Sequence, residues 1–144
     1  MNRKVSRAEW AAALERLYRR YNHRRFIPPD PLELLYRYSD ARDREVAGLL
    51  AALLAYGGVR QIVASADKAL ARMEHCPRAF LEGSRVGDIQ AAFKGFRHRW
   101  TTGADISALL SGVKAAIDRF GSLEASFVNG FLPEHETVLP ALAS

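Results

Sequence analysis

The sequence predicts an all-α fold. Three observations carry that prediction: apolar residues recur at helical spacing along most of the chain, capping residues stand where those patterns begin, and no alternating strand pattern occurs. The unequal helix lengths point to an orthogonal array rather than a parallel bundle. Neither an internal repeat nor a low-complexity tract interrupts it.

The first element opens at Ser6 and Glu9, an S-x-x-E capping box, and continues through Trp10, Leu14, Leu17, Tyr18 and Tyr21 as an amphipathic helix with an aromatic-rich face. Asn22-His23-Arg24-Arg25 and the prolines of FIPPDP stop it. Asp30-Pro31 supplies an N-cap and a first-turn proline for a short second helix carrying Leu32, Leu34, Leu35 and Tyr38. Ser39 or Asp40 caps a third helix whose residues from Val46 to Tyr56 are apolar nearly all round, the pattern of a central helix, with Gly57-Gly58 marking its end. A fourth places Val59, Ile62, Val63, Ala66, Leu70 and Met73 on one face and stops before Pro77. Short pieces follow at Pro77 to Leu81 and Asp88 to Lys94. Thr102 or Asp105 then caps a long helix bearing Ile106, Leu109, Leu110, Val113, Ile117 and Phe120, closed by Gly121. Ser122 starts another through Phe127, and a last helix is expected to begin near Glu134.

At 144 residues, with 49% hydrophobic and 26% charged residues, the chain has the size and composition of one globular domain over residues 1–144 and excludes a disordered polymer. The lone Cys76 excludes an internal disulfide. Neither it nor His23, His75, His98 and His135 has the spacing of a metal site, so no metal and no cofactor are expected. Glu9 and Glu15 interrupt what would have to be the apolar core of a signal peptide, and the run from Val46 to Tyr56 is too short to span a bilayer. The expectation is a cytoplasmic protein with no membrane partner.

A net charge of +5 makes a polyanion the first partner to consider. The richest stretch is GFRHRWTTGADI, where Arg97, His98 and Arg99 stand between Phe96 and Trp100. With Lys94 and Thr102 they form the candidate phosphate-contacting strip, because guanidinium groups engage phosphate bidentately and the helix after Gly103 offers N–H groups at a positive dipole end. The competing reading is a solvated basic loop that Phe96 and Trp100 anchor to the core. Arg60 and Gln61, just past Gly57-Gly58, join the candidates because a tight turn presents them; the alternative is a plain helix junction. Asp30, Glu33, Asp40, Asp43 and Glu45 cluster in sequence but read as caps and exposed ion pairs. No catalytic residue emerges: Thr101 and Thr102 have no acid–base partner in sequence, and no phosphate-cradling glycine pattern occurs.

The blocks FIPPDPLELLYRYSDARDREVAGLLAALLAYGGVRQI, FKGFRHRWTTGADISALL and FGSLEASF resemble the bacterial domain-of-unknown-function family numbered twenty-four hundred, over about Tyr18 to Phe131. That family is in turn similar to the helix-hairpin-helix base-excision DNA glycosylases, typified by endonuclease III. Asp30-Pro31-Leu32-x-x-Leu35 resembles their D-P-F-x-x-L helix, and the run ending at Tyr56-Gly57 resembles their central helix, which commonly ends in Gln where this chain has Gly57. The resemblance implies the N-terminal half of a glycosylase-type helical domain, truncated before the DNA-gripping hairpin and the catalytic Asp. Its full-length relative would be a glycosylase-like hydrolase, and this chain alone would be inactive.

The sequence leaves three functional expectations: a duplex-DNA-associated scaffold without its catalytic half, a helical protein–protein interaction module or remnant with no nucleic-acid function that pairs with another copy or another chain such as its missing C-terminal half, and an enzyme whose second half is encoded separately.

Overall fold

The computed structural model describes residues 6–142; the cationic start at residues 1–5 and the last two residues lie outside it. The chain is all-α apart from one two-stranded hairpin among the described residues. Helix α1 (Arg7–Tyr21) starts at the expected capping box, with the Glu9 N–H donating to Ser6 Oγ at 3.2 Å and the Ser6 N–H to Glu9 Oε2 at 2.8 Å. Its apolar face is not buried: Trp10, Leu14, Leu17, Tyr18 and Tyr21 are all more than half exposed.

A 3₁₀ turn at Arg24–Phe26 leads to a second at Pro31–Arg37, where the sequence predicts an α-helix. Asp30 Oδ1 caps this turn by accepting from the Leu32 N–H at 2.8 Å. Leu34 and Tyr38 are buried from this turn. Arg44 closes its C-terminal end, Nε donating to the Tyr38 carbonyl at 2.7 Å.

Helix α2 (Ala41–Leu53), capped by Asp40 through the Arg42 N–H at 2.8 Å, is the centre of the molecule. It packs against Pro31–Arg37, α3 (Val59–Ala71), α4 (Pro77–Gly83) and α7 (Leu123–Gly130), burying Val46, Ala47, Leu50 and Ala51. The apolar run outlasts the helix. Ala55 bonds back to Ala52 and Tyr56 to Leu54, so the chain tightens after Leu53 and turns through Gly57 at φ +110°. Tyr56 is thereby released from the helix and turned toward a distant partner.

Helices α5 (Val86–Phe93) and α6 (Gly103–Phe120) complete the core, α6 presenting Ile106, Leu110, Val113 and Ile117 at helical spacing to Phe93, Ile89 and Leu81. Gly103 is the tightest point: a Cβ built on it would lie 1.9 Å from the Phe93 carbonyl oxygen, so only glycine lets the start of α6 pass the end of α5. Gly121 closes α6 in the left-handed conformation, φ +89°, and Ser122 caps α7. The helix expected from Glu134 begins instead at Leu139, as α8 (Leu139–Leu142), which puts Pro140 in a first turn where its missing N–H costs nothing.

Two of the acidic residues clustered in sequence cap helices far away. From α2, Asp43 Oδ1 accepts from the Arg78 N–H in the first turn of α4 at 2.9 Å, and Glu45 Oε2 accepts from the Leu123 N–H of α7 at 2.9 Å. Glu45 is thus not the exposed ion-pair partner that its neighbours Arg42 and Arg44 suggest.

Candidate functional site

The stretch that stands out in sequence folds as a minimal hairpin. Strands β1 (Arg97–His98) and β2 (Thr101–Thr102) pair antiparallel, Arg97 opposite Thr102 and His98 opposite Thr101. Arg99 and Trp100 are left to make the connection. Arg99 takes a φ of +52°, where glycine is the usual occupant, at a cost of about 1–2 kcal/mol.

Tyr56 offsets that strain. Its phenol donates to the His98 carbonyl at 3.0 Å and, with its one proton committed there, accepts from Thr101 Oγ1 at 2.5 Å. The ring meets the His98 imidazole edge-on at 4.7 Å and stacks on Trp100 at 4.8 Å, 14° from parallel. His98 is 1% exposed; its Nε2 donates to the Tyr56 carbonyl at 3.1 Å and its Nδ1 lies 2.8 Å from Ser65 Oγ, which donates to it. The expectation that His98 faces phosphate is therefore corrected: both ring nitrogens are occupied within the protein. The imidazole ties the hairpin to α3 and to the turn after α2.

Thr102 is committed as well. It caps α6, its Oγ1 donating to Asp105 Oδ2 at 2.7 Å, while its own N–H donates to the same oxygen at 2.8 Å. These bonds from the Thr102 hydroxyl and backbone hold the Asp105 carboxyl below the usual carboxylate range. The start of α6, expected to offer open N–H groups to an anion, is met by the chain's own carboxylate.

What remains is a rim of side-chain cations. Lys94, Arg97 and Arg99 are exposed, as are Arg60 and Gln61 in the first turn of α3. Lys94 and Arg97 edge a groove of about 780 Å³ between α5 and α6, floored by Ala104, Ser107, Ala108 and Ser111. Arg97 also edges a second groove, of about 300 Å³, with Lys68 and Arg72. The Arg99 guanidinium lies against Gly57, with Nη1 2.9 Å from where a Cβ on that glycine would sit, so the hairpin tip covers the turn leading to Arg60 and Gln61.

Lys68 and Arg72 join the cluster although their sequence setting gives no sign of it. Arg72 is the structural member. Its Nη1 donates to the Ala92 carbonyl at 2.6 Å and the Lys94 carbonyl at 3.1 Å, closing α5 immediately before the hairpin. No ion pair among the described residues engages Arg60, Lys68, Lys94, Arg97 or Arg99; the cations that are paired are Arg19, Arg37, Arg78, Arg85 and Lys114. No group of three or more His, Cys, Asp and Glu that could hold a metal ion occurs among the described residues. No helix there is long and apolar enough to cross a membrane.

The family described as Protein of unknown function (DUF2400) matches residues 30–144. The chain belongs to this family. In this DUF2400 chain the matched region starts at Asp30, the cap of the second 3₁₀ turn, and includes α2, α3, the hairpin and every cation of the rim, whereas α1 precedes it. No curated protein and no solved structure matches the chain.

Proposed function

We propose that this chain binds the phosphate backbone of duplex DNA through Arg60, Lys68, Lys94, Arg97 and Arg99, as the scaffold part of a protein of the base-excision DNA-glycosylase class. One observation carries the reading: these five cations gather around the hairpin with no ion-pair partner among the described residues, while acids elsewhere on the surface pair with other cations. Guanidinium and ammonium groups left unpaired in one region raise the local concentration of phosphate and release counterions on contact. The glycosylase class rests on the resemblance of Asp30-Pro31-Leu32-x-x-Leu35 and of the central helix. The chain supplies no group to which base removal is assigned, and its role is contact with the duplex.

Fluorescence anisotropy with a labelled duplex tests this. Five engaged cations give a log-affinity against log-salt slope of about −4.5. Arg97→Ala with Arg99→Ala is expected to flatten it by about 2 and to weaken binding equally across sequences. A parent slope near zero, or a double variant that binds like the parent, overturns the reading.

The exposed apolar face of α1 favours a second reading, a helical interaction module. Light scattering behind size exclusion tests its homo-oligomeric form, which requires self-association where DNA contact does not.

A further inference from the structure

Charge alone leaves Trp100 unexplained. This indole is 68% exposed even though Tyr56 lies against one face and the Arg99 guanidinium sits 5.1 Å from its ring centre. A lone exposed tryptophan is ordinary on a protein surface, but such a side chain is normally free to move. Trp100 is fixed. Tyr56, on which it stacks, is pinned through its phenol to the His98 carbonyl and Thr101 Oγ1, and its own carbonyl accepts from the buried His98 ring. A half-buried hydrogen-bonded network thus supports a flat aromatic surface in solvent at the tip of a hairpin whose turn carries backbone strain at Arg99.

We infer that the exposed indole of Trp100 is a stacking site for an unpaired nucleobase, an inference that rests on the nucleic-acid reading and specifies what that site takes beyond phosphate. Charge complementarity selects this occupant. Arg99 adjoins the ring, Arg97 stands on the same hairpin opposite Thr102, and neither enters an ion pair among the described residues, so a partner approaching Trp100 meets cations. A single strand satisfies both features at once, phosphates on the guanidinium groups and a base on the indole, because every base offers a π-face whatever its sequence. A base paired inside a duplex keeps its faces covered by its neighbours and has none to offer. The site therefore discriminates unpaired from paired nucleic acid, which the cations alone do not.

The chain has two tryptophans, so Trp10→Phe leaves Trp100 as the only indole fluorophore. In that background, a thymidylate strand of about twelve nucleotides is expected to quench the emission, with a uridylate strand run in parallel; the tighter of the two names the strand type. Trp100→Ala is expected to weaken single-strand binding about tenfold while leaving affinity for a blunt duplex unchanged, and Trp100→Phe, which keeps an aromatic face, to retain most of it. The stacking site is overturned if neither strand quenches, or if Trp100→Ala binds single strands like the parent, while duplex binding keeps its salt slope. Absence of all binding, duplex included, at low salt removes the underlying reading and the stacking site with it.

Discussion

Thr102 and Asp105 form the cap of α6, and the cap titrates. The Asp105 carboxyl is held below its ordinary range by the Thr102 hydroxyl first and the Thr102 N–H second, so it is the ionised form that the folded state favours. A carboxyl whose folded value is depressed contributes stability that is fully present above its unfolded value and is lost as the pH falls through the folded one. The gap in urea midpoint between the parent and Asp105→Ala is therefore expected to be complete at neutral pH and to close as the pH drops below about 4. A gap that persists undiminished in strong acid would assign the effect to contacts that the uncharged carboxyl keeps, not to its charge. His98 shows the opposite lesson. In sequence it stands between two arginines and reads as one more cation, yet its burial depends on Ser65 and Tyr56, 33 and 42 residues away, which no local pattern reveals.

At the scale of the elements, the helix starts were legible because their caps are local. Ser6 with Glu9, Asp30, Asp40, Thr102 with Asp105, and Ser122 each bond within three residues, so residue type and spacing suffice to find them. Caps supplied across the fold were not legible. Asp43 and Glu45 close the starts of α4 and α7, while Arg72 and Lys114 close the ends of α5 and α4, and nothing near these residues names their distant partners. The hairpin was missed for a related reason: strands of two residues are too short to alternate, and tertiary bonds from Tyr56 hold them. Even the candidate site depends on one such junction. The end of α5 and the start of α6 meet at Gly103, and the hairpin between them is fixed by that meeting. Gly103→Ala must push a methyl group into the Phe93 carbonyl, so a loss of about 2–3 kcal/mol is expected in chemical denaturation. A neutral substitution would show that the two helices separate freely, and with them the rim.

For the molecule as a whole, the question is whether the net charge of +5 acts as a diffuse field or as a local patch. The architecture separates the two. The hairpin meets the end of α2 at Tyr56 and precedes the start of α6, so Arg42 in the first turn of α2 and Arg119 in the last turn of α6 lie at the far ends of helices about 20 and 27 Å long. Those distances exceed the Debye length of about 8 Å at physiological salt. Both arginines are exposed, and no ion pair among the described residues engages either. Arg42→Ala with Arg119→Ala lowers the net charge by as much as Arg97→Ala with Arg99→Ala does. Under a diffuse field the two double variants weaken duplex binding alike and flatten the salt slope alike. Under a local patch the Arg42 and Arg119 pair is expected to stay within about twofold of the parent near 0.15 M salt, whereas the hairpin pair loses about two units of slope. Equal losses in anisotropy would return the basic character of this chain to bulk composition and leave the hairpin without a binding role.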